Sequence, residues 1–67
     1  MMNYNMITDK IYIIGNNTNR RLLEMGLIKG TVVRVVKIVA GMIQLKLDNS
    51  DIVIREELLN EIEYEKK

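Results

Sequence analysis

The chain contains no cysteine and no histidine. The first absence excludes disulfides, thiolate metal centres and thiol chemistry. The second removes the commonest general base, proton shuttle and neutral metal ligand. Carboxylates, lysines, arginines, hydroxyls and three tyrosines are what remain for chemistry, so neither an independent enzyme nor a bound cofactor is expected. Phenylalanine, tryptophan and proline are absent as well. Ile, Val, Leu and Met must therefore fill the core, and glycine and Asx residues must make the turns. Alanine occurs once, at position 40, against ten Ile, six Val and seven Leu. Such a β-branched excess favours strands, because branched side chains lose rotamer freedom on a helix and fit a pleated face. No apolar run approaches the ~20 residues of a membrane-spanning helix, and the first residues lack a signal-peptide pattern. A cytoplasmic protein that is not itself membrane-inserted is the expectation.

Sixty-seven residues suffice for one small domain. A chain of this length hides roughly 60% of its unfolded surface on folding, and a core of this size rarely supplies more than ~3–5 kcal/mol without staples. One domain over residues 1–67 is expected, with partial fraying of residues 1–8. The net charge is +1, from ten basic and nine acidic residues, which is too balanced for binding nucleic acid by phosphate neutralisation. The distribution is uneven: residues 17–38 are basic, with Arg20, Arg21, Lys29, Arg34 and Lys37 against Glu24, whereas residues 55–67 carry five glutamates. Solvated faces that attract each other are the simplest reading.

Along the chain, Lys10-Ile11-Tyr12-Ile13-Ile14 reads as a first strand closed by Gly15. Asn16-Asn17-Thr18-Asn19 is a cluster of turn formers and helix N-caps. Residues 20–25 contain only good helix formers. Gly26 follows them in the position where a left-handed conformation ends a helix. Leu22 and Met25 would share that helix's buried face, with Leu23 beside them, and Arg20 and Glu24 form an i,i+4 pair. Arginines sit poorly at a helix start, where the dipole favours acids, so pairing with glutamates of the last strand or with an acidic partner is expected. Leu27 and Ile28, between Gly26 and Gly30, read as plugs that close one end of the core. In the long strand candidate 31–39, polar residues at 31, 34 and 37 break strict alternation, which predicts a bulge or bend. Ala40-Gly41 makes a turn. Met42 to Leu47 alternates with Ile43, Leu45 and Leu47 inward, and pairs with 52–54 as a hairpin through Asp48-Asn49-Ser50-Asp51. Residues 55–60 form one helical turn, and 62–64 a last short strand. The expected core is Ile11, Ile14, Leu22, Met25, Leu27, Val33, Val35, Ile43, Leu45, Leu47, Ile52, Ile54 and Ile62. The order of elements predicts a mainly β fold: a small, partly open SH3-like β-barrel of about five strands with one short helix and one helical turn.

No constellation carries catalytic or metal chemistry. Asp48 and Asp51 flank a hairpin turn but lack the further oxygen donors and the central glycine of a calcium loop. The glycines at 26, 30 and 41 belong to no strand–loop–helix phosphate motif. Tyr4, Tyr12 and Tyr64 are too few and too dispersed for a base-stacking platform. No catalytic, cofactor-binding or metal-ligating residue is therefore assigned.

The stretch Arg21-Leu22-Leu23-Glu24-Met25-Gly26-Leu27-Ile28-Lys29-Gly30-Thr31-Val32-Val33-Arg34-Val35 resembles the ferrous iron transport protein A (FeoA) family. That family has an arginine-leucine helix ending in leucine or methionine, glycine, leucine, then a second glycine opening a valine-rich strand. Ile52-Val53-Ile54-Arg55-Glu56-Glu57 with Ile62 is similar to the family's closing segment. Lys29 and Leu59 depart from its pattern, standing where a proline and a small residue are usual. The resemblance implies an SH3-like barrel of the bacterial cytoplasm that assists a membrane ferrous-iron permease with a cytosolic GTPase domain (FeoB type). It implies an accessory or regulatory protein and an association with weak transition-metal-ion binding, for which this sequence offers only carboxylates. Two other classes stay open: a nucleic-acid-binding SH3-like module of the ribosomal or elongation type, and a detached SH3-like domain of an iron-dependent repressor. A monomer that acts by protein contact is expected, with Arg20, Arg21, Leu27, Ile28 and Lys29 as the candidate partner interface.

Overall fold

The computed structural model describes residues 6–67. Five strands form one antiparallel sheet: β1 (Ile11–Asn17), β2 (Val32–Val39), β3 (Met42–Lys46), β4 (Asp51–Arg55) and β5 (Ile62–Lys66). The helix α1 (Arg20–Glu24) lies between β1 and β2, and a 3₁₀ helix (Glu56–Glu61) lies between β4 and β5. The order across the sheet is β4-β3-β2-β1-β5. This is the expected mainly β, SH3-like small fold in partly open form. The sheet does not close by pairing β4 with β5; the 3₁₀ helix joins these two edge strands and packs against both.

Three local features follow from the sequence. The break in alternation in β2 is a bulge between Val35 and Lys37. It keeps Val33 and Val35 inward and leaves Val36 exposed before Ile38 turns back toward the core. The β2–β3 hairpin turns through Ala40 (φ 52°) and Gly41 (φ 79°), a two-residue connection with both central residues left-handed. The α1 helix is capped at both ends. Asn19 Oδ1 accepts from the Leu22 N–H at 3.1 Å. At the other end Leu27 N–H donates to the Leu22 carbonyl and Gly26 N–H to the Leu23 carbonyl, with Gly26 at φ 106°. These two bonds are the Schellman pattern, and the accompanying apolar contact is made by Leu22 and Leu27, both fully buried.

β1 corrects two expectations. Gly15 does not end the strand, which continues to Asn17 past a bulge in its pairing with β5. A Cβ at Gly15 would stand 3.1 Å from Glu63 Cβ, so glycine is placed here by the close approach of β5. Ile11, expected in the core, is 41% exposed, and the inward residues are Tyr12 and Ile14. Met25 is likewise corrected. At 38% exposed it lies outside the core, because a five-residue helix turns only Leu22 fully inward. Leu47 and Ile52 are half-buried against the core. Met6, Tyr12 and Leu59 join it unexpectedly. Met6 belongs to the segment expected to fray; residues 1–5 of that segment, Tyr4 among them, lie outside the described residues.

Candidate functional site

The stretch from residue 17 to residue 31 is held at both ends of α1. Asn17 Oδ1 accepts from the Asn19 N–H at 2.8 Å, while its Nδ2 donates to the Leu27 carbonyl at 2.7 Å. One side chain thus fixes both the entry to α1 and its exit. Asn19 Nδ2 donates to Glu61 Oε1 at 2.7 Å, tying the helix start to the 3₁₀ helix. The glycine-bounded loop is pinned equally well. Gly30 N–H donates to the Ile14 carbonyl at 2.7 Å, and Ile14 N–H to the Thr31 carbonyl at 2.8 Å. Thr31 N–H donates to the Ile28 carbonyl, and its hydroxyl to the Gly26 carbonyl at 3.1 Å.

This scaffold sorts the five candidate interface residues. Leu27 is fully buried and belongs to the core, so it offers a partner no surface. Ile28 is the opposite. Expected as a second core plug, it is 52% exposed, because the loop fastened at Gly26, Gly30 and Thr31 turns it outward. Lys29 is exposed beside it. Arg20 and Arg21 are exposed on the first turn of α1, about 7 Å from the loop along a helix of this length. The expected pairing of these arginines with glutamates of the last strand is not what forms. Arg20 Nε faces Glu24 Oε2 at 3.7 Å, the i,i+4 contact, with both side chains in solvent. Glu61 is taken by Asn19, and no ion pair involves Arg21 among the described residues. An exposed pair such as Arg20–Glu24 is worth only ~0–1 kcal/mol, so these cations remain available to an acidic partner.

The cations do not converge on one groove. Lys29 lines an open groove of about 300 Å³ over the β1–β5 edge, with Ile13, Gly30, Glu63, Tyr64 and Glu65. Arg21 lines another of about 190 Å³, with Met25, Met42, Val53, Arg55 and Leu58. Two side chains from the second groove, Met42 and Val53, belong to strands whose adjacency the sequence shows only as a hairpin. The exposure of β4 as a sheet edge is set by strand order, for which no local signal exists.

The carboxylates are dispersed. Among the described residues no group of three or more Asp or Glu stands close enough to hold a metal ion. Asp51 of the polar turn accepts a hydrogen bond from Gln44 Nε2 at 3.1 Å. Two tyrosines are closer than their sequence spacing suggests. Tyr12 and Tyr64 stack edge to face with ring centroids 5.6 Å apart, and the Tyr12 hydroxyl accepts from the Ile7 N–H. Tyr12 is buried, so the pair fastens β5 to the core and presents no stacking platform. No helix among the described residues is long and apolar enough to cross a membrane. Compared with known protein families, the chain matches the model of the FeoA domain over residues 7–66. No curated protein matches it.

Proposed function

The chain belongs to the FeoA domain family, an accessory domain of ferrous iron transport and not a known enzyme family, and on that premise we propose that it acts in the cytosol by direct contact with a ferrous-iron GTPase-permease. The observation that supports this reading is the family match over nearly the whole fold, together with a rigidly held, outward-facing apolar residue, Ile28, with Lys29 exposed beside it. An exposed apolar anchor with a lysine beside it suits a complementary surface, an apolar pocket edged by carboxylates on the permease's cytosolic domain. The contact set is Arg20, Arg21, Ile28 and Lys29. The cations steer and orient the encounter while Ile28 supplies the desolvated centre. The protein would thereby regulate or support the permease while the transported iron passes through the partner.

The test is a pull-down with the cytosolic domain of a ferrous-iron permease from the same genome. The wild type is expected to be retained. The Arg20→Glu, Lys29→Glu double variant is expected to bind at least about tenfold more weakly, with a near-unchanged melt because both positions are exposed. Full retention of a folded double variant would move the interface elsewhere. Failure of the wild type to bind would sink the assignment.

A further inference from the structure

The two edges of the sheet are defended differently. Three of the five residues of β5 are charged (Glu63, Glu65 and Lys66), and its pairing with β1 is broken by a bulge. Charge and bulging are the usual means of keeping an edge strand unpaired. β4 has neither in its interior. Its sequence is Asp51-Ile52-Val53-Ile54-Arg55, its register against β3 runs without a shift, and it contains no proline. Val53 is 53% exposed at its centre.

Hydrogen bonding fixes which backbone groups of β4 are unused by β3. Glu56 N–H donates to the Gly41 carbonyl, and the Ser50 carbonyl accepts from the Leu47 N–H. Antiparallel bonding alternates along a strand. The ladder to β3 therefore falls on even-numbered residues of β4, and the N–H and C=O groups of Asp51, Val53 and Arg55 point away from the sheet. These same three residues have their side chains on the outer face, opposite Lys46, Gln44 and Met42.

We infer that a second copy of this chain docks along this edge, pairing β4 with β4 antiparallel about a two-fold axis at Val53. The strand is self-complementary in that arrangement. Val53 meets Val53 of the second copy, and Asp51 meets Arg55 twice. All three outward-pointing residues then fall in hydrogen-bonded pairs, since each exchanges both backbone bonds with the residue opposite. On the outer face the row Lys46–Asp51–Arg55 alternates in sign across the junction. The groove of Met25, Met42, Val53 and Leu58, edged by Arg21 and Arg55, lies beside the same strand and extends the surface available for contact. An isologous contact of this kind closes as a dimer and cannot propagate through β4. It departs from the monomer expected from the sequence.

Sedimentation equilibrium of the full chain over a range of concentrations tests the inference. The mass is expected to rise from 7.8 kDa toward twice that value and no further. Asp51→Arg or Arg55→Asp alone places like charges opposite each other twice, and each is expected to weaken the dimer roughly tenfold. The Asp51→Arg, Arg55→Asp double variant restores complementarity and should restore the dimer. Val53→Pro removes only an outward-facing N–H and should give a folded monomer. A chain that stays at 7.8 kDa throughout overturns the inference. So does a dimer indifferent to the single reversals, or one that the double variant fails to recover.

Discussion

Leu45 sits fully enclosed in β3, between Val35 of β2 and Ile52 of β4. Leu45→Ala should cost about 2–5 kcal/mol, which is comparable to the whole stability expected of such a domain. The variant should be largely unfolded at room temperature by circular dichroism; a cooperative melt within a few degrees of wild type would contradict its place in the core. Two turn positions make a sharper comparison. Gly26 and Gly41 both have positive φ, so both resist substitution, but only at Gly26 would a Cβ also meet a neighbour, Leu47 Cδ2 at 3.0 Å. Gly26→Val should therefore destabilise more than Gly41→Ala in thermal melts, with neither neutral. Ala40 carries the opposite opportunity. Its φ of 52° is strained for alanine, and asparagine is favoured at that place in a two-residue hairpin. Ala40→Asn should raise stability by a few tenths to ~1 kcal/mol, read as a higher melting temperature. Gly26 as a helix terminator was legible because a run of helix formers ends at it. The inward residues of β1 were not. Ile11-Tyr12-Ile13-Ile14 is apolar at every position, so alternation alone cannot say which face is inside. What decides it is that the Tyr12 hydroxyl finds the Ile7 N–H and its ring finds Tyr64, both partners outside the strand itself.

α1 is too short to persist by propensity alone, and its ends carry it. Asn19 serves twice, capping the Leu22 N–H and donating to Glu61. Asn19→Ala should cost about 1 kcal/mol or somewhat more through the lost cap. Asn19→Asp should retain the cap but set a carboxylate against Glu61, placing its melting temperature between alanine and wild type. Equal melts for all three would mean that Asn19 holds neither element. Local chemistry of this kind is readable from one sequence, as are the β2 bulge, the Ala40-Gly41 turn and the β3–β4 hairpin. Strand order and close approach are not. Gly15 looks like a terminator because nothing near it in the chain announces that Glu63 of β5 crosses too close to leave easy room for a Cβ. Ile28 looks like core because isoleucine usually is. Its exposure follows from bonds linking Gly30 and Thr31 to Ile14, a residue of another element. Of the five candidate contact residues the three cations are exposed, while Leu27 and Ile28 divide into one core residue and one exposed residue.

The molecule as a whole offers ferrous iron little to bind. Its side-chain donors for a hard or borderline divalent ion are nine carboxylates, with no imidazole or thiolate among them. Carboxylates hold first-row divalent ions tightly only when several converge, whereas thioethers such as its methionines favour copper(I). Among the described residues no three carboxylates converge. Glu56 and Glu57 stand at the start of the 3₁₀ helix, Glu63 and Glu65 on β5, and Asp48 and Asp51 at the β3–β4 turn; Arg55 lies 3.5 Å from Glu57, and Gln44 occupies Asp51. Drawing three carboxylates together would place like charges within a few ångströms. Anaerobic calorimetry with iron(II) should therefore give no one-to-one binding in the sub-micromolar range, and charge-neutralising variants of the β5 glutamates should leave any weak heat unchanged. Sub-micromolar, stoichiometric binding would overturn this reading and would make the protein an iron carrier in its own right. Its expected absence would agree with the proposed action by contact, in which the iron is handled by the partner.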